Sequence, residues 1–148
     1  MKQINFANIK NTSLKLRLKI LKIIFNGSSS HLGSCYSIID ALFTLYKFLE
    51  DNKILKNSKI ILSKGHAAAA LYSILSLKKF FKRSILKKYC SNGFNFSGHV
   101  NHNVNGVFLS TGALGHGLPV ASGIAIAKKK LGQNIFVLIS AVSYTHLT

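Results

Sequence analysis

Four short segments of this chain set a histidine beside glycine: "SHLG" at Ser30–Gly33, "SKGH" at Ser63–His66, "SGH" at Ser97–His99 and "TGALGHG" at Thr111–Gly117. An imidazole titrates near neutral pH and can donate, accept or carry a proton without a fixed charge. Glycine lets the main chain approach a ligand closely, and a helix N-terminus presents free N–H groups to an anion. Together these features suit proton transfer around a hydroxylated or anionic small molecule. Taken singly, each segment also reads as a turn with a capping or core-satisfied imidazole. Four such segments in order, at strand ends and before helices, read as loops that converge on one ligand. His102 and His146 lack that context and read as local structure. His99 and His102 have a zinc-like spacing, but no cysteine or acid lies near them in sequence, so zinc is not expected.

The elements that must carry these loops alternate between helix and strand. Ser13–Asn26 reads as an amphipathic helix with Leu14, Leu18, Leu21 and Phe25 on its buried stripe, stopped by Gly27. Ser28–Cys35 reads as a loop of small residues. The following helix, Ser37–Asp51, opens on Ser37 and Asp40 at capping-box spacing and carries Ile38, Leu42, Leu45 and Leu49 on one face. "KIILS", Lys59–Ser63, and "NIFVLIS", Asn134–Ser140, read as buried parallel strands. Further helices are expected over Ala67–Phe80, Ser84–Tyr89 and Leu118–Leu131, the last closed by Gly132. Residues 92–111 show no sustained period, and a loop of that length points to function. The pattern implies one α/β domain with a mostly parallel sheet and flanking helices, whose ligands bind at the carboxyl ends of the strands.

Composition narrows the function classes. Across 148 residues, Lys+Arg 20 against Asp+Glu 3 gives a formal net charge of +17. A polyanionic partner is the first thought for such a charge. However, arginine occurs only at Arg17 and Arg83, and the lysines are scattered over every segment, so nucleic acid is not the expected partner. Cys35 and Cys90 have no pairing or metal-like spacing and read as two buried thiols in a reducing compartment. "MKQINFANIKNTS" has no apolar core of a signal peptide, and the apolar run Leu118–Ala127 is cut short by Lys128–Lys130. A cytoplasmic protein that does not enter the membrane is expected.

In order and spacing, the four segments resemble the N-terminal, diphosphate-binding half of transketolases, especially the split form whose halves are separate chains. "SSSHLGSCYSIIDALFTLY" resembles the family's opening His-x-Gly loop and the helix after it. "IILSKGHAAAALYSILS" is similar to its Ser-Lys-Gly-His block. "FSGHVNHNVNGVFLSTGALGHGLPVASGIAIAKK" is similar to its Gly-His-Pro segment and the following Ser-Thr-Gly-Ser-Leu-Gly-His-Gly-Leu. The resemblance covers roughly residues 13–140 and makes residues 1–140 a partial thiamine diphosphate-binding domain. It implies a two-carbon ketol transferase acting on sugar phosphates, with thiamine diphosphate held alongside Mg²⁺. By motif match it implies cofactor contacts at His66, Gly112, Ala113 and Leu114, with His116 close by, and substrate-facing catalytic histidines at His31 and His99. It also implies a dimeric assembly with a C-terminal subunit or C-terminal half.

Two departures from the family stand out. Val100 replaces the proline that usually follows Gly-His, with an expected effect on loop rigidity. After "NIFVLIS" the family continues Asp-Gly-Glu, whose aspartate ligates the metal, whereas this chain ends "AVSYTHLT". Its acids are Asp40, Glu50 and Asp51, which read as a helix cap and a helix end. A hard divalent cation wants carboxylate oxygens, so no metal site is expected from this chain. Residues 141–148 read as a non-matching tail of a truncated frame, and the chain by itself is expected to be inactive. Two alternatives stay open. A deoxyxylulose-phosphate synthase shares the His-Leu-Gly opening but departs from the Lys-Gly-His-Ala block. A non-catalytic basic domain binding nucleic acid is the alternative outside catalysis.

Overall fold

A computed structural model of the chain describes residues 6–140; the tail expected to be foreign, 141–148, and with it His146, lies outside the described residues. Helix α1, Phe6–Asn26, begins a turn or two earlier than its apolar period suggests. It stops where the Gly27 N–H donates to the Ile23 carbonyl and Ser28 turns to a positive φ. Its buried face corrects the sequence reading. Leu16, Ile20, Ile23 and Ile24 are buried, while Leu14, Leu18, Leu21 and Phe25 are exposed, Phe25 by 79%. The helix carries two apolar stripes at helical spacing, and packing against the next two helices selects the branched one.

Helix α2 runs Leu32–Asp51, so the small-residue loop ends at His31. Leu32, Cys35, Ile39, Leu42, Tyr46 and Leu49 extend the helical period backwards past Ser37, where the capping box was expected. Ser37 instead lies inside the helix, its hydroxyl donating to the Ser34 carbonyl, and Asp40 pairs with Arg17 of α1. Glu50 and Asp51, at the end of α2, pair with Lys78 and Lys47.

Strand β1, Ser58–Leu62, leads through a tight 3-10 turn, Gly65–Ala67, into helix α3, Ala68–Leu77. Residues Ala68–Ser76 of α3 are all buried, and the run Ala67–Ala70 lets α1 and α2 close around it. A 3-10 turn at Arg83–Lys88 follows. The long loop after it is held by one antiparallel bridge, Val100 to Thr111. Helix α4, Gly117–Lys128, ends in a 3-10 turn closed by Gly132 in the left-handed region, as the sequence suggests. It packs on β2, Asn134–Leu138, which pairs parallel to β1 from Ser58–Asn134 through Leu62–Leu138. β1 is a buried strand with Ile60 and Leu62 in the main core, whereas β2 is only partly buried, its Phe136 and Leu138 packing against that core from its border. Cys35 is buried, but Cys90 is exposed, in a turn closed by its N–H donating to the Phe96 carbonyl. Among the described residues no helix is long and apolar enough to cross a membrane. The architecture is α/β with a small parallel sheet, whose carboxyl edge carries the histidine loops.

Candidate functional site

The histidine loops meet at the carboxyl end of β1, and three of their four imidazoles cluster there. The His31 ring stands 5.3 Å from the His66 ring and 5.6 Å from the His99 ring, centroid to centroid. His31 precedes the first turn of α2 with φ 72°, a left-handed conformation that costs a side-chain-bearing residue about 1–2 kcal/mol. Its Nδ1 lies 3.1 Å from the Ser30 hydroxyl. His66 sits in the turn between β1 and α3, and His99 lies just ahead of the Val100 bridge. His31 and His99 are exposed and His66 is half-buried.

The main chain explains how three segments so far apart in sequence hold this register. Gly65 must be glycine: a Cβ there would stand 2.1 Å from the Thr111 carbonyl oxygen. At this crossing the Val100 N–H donates to the Gly65 carbonyl at 3.1 Å, and the Thr111 N–H to the Val100 carbonyl at 3.2 Å. A proline at position 100 has no N–H to give, so the valine found here supplies a bond that the related motif lacks. The Thr111 hydroxyl donates to the Leu62 carbonyl at 2.6 Å, and the Gly117 N–H to the Ser63 hydroxyl at 3.0 Å. These bonds tie the start of α4 to the end of β1. From beneath, the Tyr72 hydroxyl of α3 donates to the His99 carbonyl and accepts from the Asn101 N–H, both at 3.0 Å. The Tyr72 ring packs edge-on against Tyr89 and Phe96.

Sequence reasoning passed over Ser63, Lys64, Tyr72 and Thr111, all buried. Lys64 is 8% exposed, its ammonium donating to the Ser37 hydroxyl at 2.7 Å, and burial pulls its pKa down. The one sequence signal for Tyr72 was a phenol within a mostly apolar helix, where a buried hydroxyl needs a partner.

The electrostatics at His66 favour its neutral form. Burial lowers the pKa of His66, and His31, Lys64 and His99 lower it further. Beside the cluster, Gly112 and Ala113 are exposed, and Leu114 is half-buried. A Cβ on Gly112 would meet nothing closer than the His99 ring at 4.0 Å, so this stretch opens on free space next to the histidines. His116 is exposed at the start of α4 and makes no ring contact with the other three, so the cluster holds three imidazoles where four were expected. His102 is pinned locally, its Nδ1 2.8 Å from the Ser110 hydroxyl. Among the described residues no group of three His, Cys, Asp or Glu side chains is arranged to hold a metal ion.

Comparison with known proteins agrees with the loop grammar. Residues 10–137 match the family described as transketolase, thiamine diphosphate binding domain. One of the named subunits of the apulose-4-phosphate transketolase of Phocaeicola vulgatus is 36% identical over 134 residues, covering 86% of this chain and 48% of the relative. Its counterpart from Actinobacillus succinogenes is 36% identical over 144 residues, 91% of this chain and 52% of the relative. The 6-deoxy-6-sulfo-D-fructose transketolase subunit SqwG of a Clostridium species is 30% identical over 145 residues, 93% of this chain and 52% of the relative. The chain thus spans about half the length of these curated relatives. On the match over residues 10–137, this chain belongs to the transketolase thiamine diphosphate-binding domain family.

Proposed function

We propose that this chain is the cofactor-binding part of a two-part transketolase, moving a two-carbon ketol unit between sugar phosphates together with a partner subunit or C-terminal half. Its relatives carry the names of transketolase subunits, which supports a divided enzyme. Neither the deoxyxylulose-phosphate synthase nor the nucleic-acid alternative is favoured by these relatives. The observation that carries the proposal is the convergence of His31, His66 and His99 beside the exposed Gly112 and Ala113.

The residues present fit the ring portion of thiamine diphosphate. His66 and the main chain of Gly112, Ala113 and Leu114 would hold it, with His116 at the start of α4. When bound, this cofactor supplies a nucleophilic carbon and an electron sink for breaking a carbon–carbon bond next to a ketose carbonyl. His31 and His99, exposed and free to turn a ring nitrogen toward substrate, serve as donors and acid–base groups for the sugar hydroxyls. His66, held neutral by burial and its cationic neighbour, can donate from one ring nitrogen while accepting at the other.

The metal that accompanies the diphosphate is less well served. Asp40, Glu50 and Asp51 all lie on α2 and are engaged by Arg17, Lys78 and Lys47. Mg²⁺ ligation therefore falls to residues outside those described, and we place the enzyme in the cytoplasm on the strength of its two free thiols.

Imidazole NMR signals of the chain, titrated with thiamine diphosphate with and without Mg²⁺, test this reading. His31, His66 and His99 are expected to shift together while His102 stays still, and Mg²⁺ is expected to add nothing. A titration that moves His102 but leaves the cluster unmoved removes the basis of the proposal.

A further inference from the structure

Away from the histidines, at the amino half of β1, lies a cavity of about 550 Å³. That is the size range of small-molecule sites. Ser58, Lys59 and Ile60 of β1 line it together with the end of α2, Phe80 and the Gly106–Phe108 loop. None of these residues belongs to the cluster described above.

The wall is built rather than incidental. The Asn105 side-chain amide donates to the Phe80 carbonyl at 2.8 Å, pinning the loop to the end of α3. Gly106 has φ +92°, and a Cβ there would come within 2.5 Å of the Phe80 ring, so the loop closes on that ring only with glycine. The floor carries Tyr46, which is 2% exposed and has no hydrogen-bond partner among the described residues. The buried hydroxyls left without a partner among the described residues are those of Ser13 and Ser73, so the Tyr46 hydroxyl is not sealed in, and the cavity its residue lines is where it can meet a ligand.

The rim is cationic. The Lys59 ammonium lies 5.2 Å from the centre of the Phe108 ring. Neither Lys56 nor Lys59 has a carboxylate partner among the described residues, whereas Lys78 is neutralised by Glu50. The cavity thus combines aromatic walls, two uncompensated ammonium groups at its mouth and an unused donor at its base.

We propose that this cavity is a second ligand site, for a small molecule with a planar apolar ring bearing a phosphate or carboxylate. The ring lies against Phe80 and Phe108, the anion meets Lys56 and Lys59, and the Tyr46 hydroxyl donates at the floor. Burial pushes the Tyr46 pKa up, so the hydroxyl keeps its proton and is available as a donor.

The probe is 1-naphthyl phosphate, titrated into the chain by fluorescence and by NMR, with inorganic phosphate and 1-naphthol as separate arms. Saturable binding is expected, with shifts at residues 106–108 and at Tyr46. Either fragment alone is expected to bind at least ten-fold more weakly. A double variant, Lys56→Gln with Lys59→Gln, is expected to weaken binding about ten-fold, and Tyr46→Phe about five-fold, the loss of one hydrogen bond. Tyr46→Phe keeps the buried ring and decides the matter if the lysine variant loses its circular dichroism. Inorganic phosphate binding as tightly as the naphthyl ester, both variants binding as the parent does, or shifts confined to the histidine loops would each overturn the assignment.

Discussion

At the scale of single residues, His66 makes the cluster sensitive to pH. Its folded-state pKa lies below the ordinary value of 6.5, through burial first and then through the neighbouring His31, Lys64 and His99. Below about pH 6.5 the unfolded chain therefore binds a proton that the folded chain resists, and stability rises with pH through this window. Its contribution is complete above the unfolded pKa and is lost as pH falls through the folded one. Urea unfolding at steps from pH 5 to pH 8 should show the parent gaining stability with pH, and His66→Gln should flatten part of that slope. A variant slope equal to that of the parent would show that His66 ionises as freely folded as unfolded. These histidines were legible because each stands beside a glycine at the edge of a regular element, a local signal. Ser63, Tyr72 and Thr111 hold them in place through bonds to partners 27 to 54 positions away, and spacing along the chain carries no trace of those.

Among the elements, α1 shows where periodicity stops being decisive. Leu14, Leu18, Leu21 and Phe25 make as good a helical stripe as Leu16, Ile20, Ile23 and Ile24, yet only the second set is buried. The difference lies in what the helix meets: α2 and α3 cover the branched face, and Arg17 reaches Asp40 on α2 from its border. Cutting a buried side chain back costs its transfer energy and leaves a cavity. Ile20→Ala is therefore expected to destabilise the chain by about 2–5 kcal/mol. Leu18→Ala, on the exposed stripe, should stay within about 0.5 kcal/mol of the parent. Denaturant midpoints of the two variants check this, and equal losses would mean that the exposed stripe is covered in solution. The other elements were easier to read. A β-branched strand, an alanine-rich buried helix and a glycine helix stop each announce themselves within a few residues. The start of α2 did not, because the apolar period runs back through Leu32 and overrides the Ser37–Asp40 cap signal.

Over the whole molecule, charge is the term that packing leaves unresolved. The chain holds three carboxylates against twenty lysines and arginines, and all three are already engaged, Asp40 by Arg17, Asp51 by Lys47 and Glu50 by Lys78. The formal +17 therefore has no internal counterweight, and folding brings those cations closer together than they stand in the expanded chain. Salt acts on both terms with opposite sign: it weakens the three pairs, which are worth little where exposed, and it relieves the many repulsions. As the Debye length falls from about 30 Å at 0.01 M to about 3 Å at 1 M, the repulsive term loses more, because it sums over many distant pairs. The midpoint of thermal unfolding should therefore climb by several degrees over that range of NaCl, about the effect of 1–2 kcal/mol in a chain of this size. If the midpoint instead stayed level or fell, the three ion pairs would outweigh the repulsion, and the lysine excess would have no energetic hold on the fold.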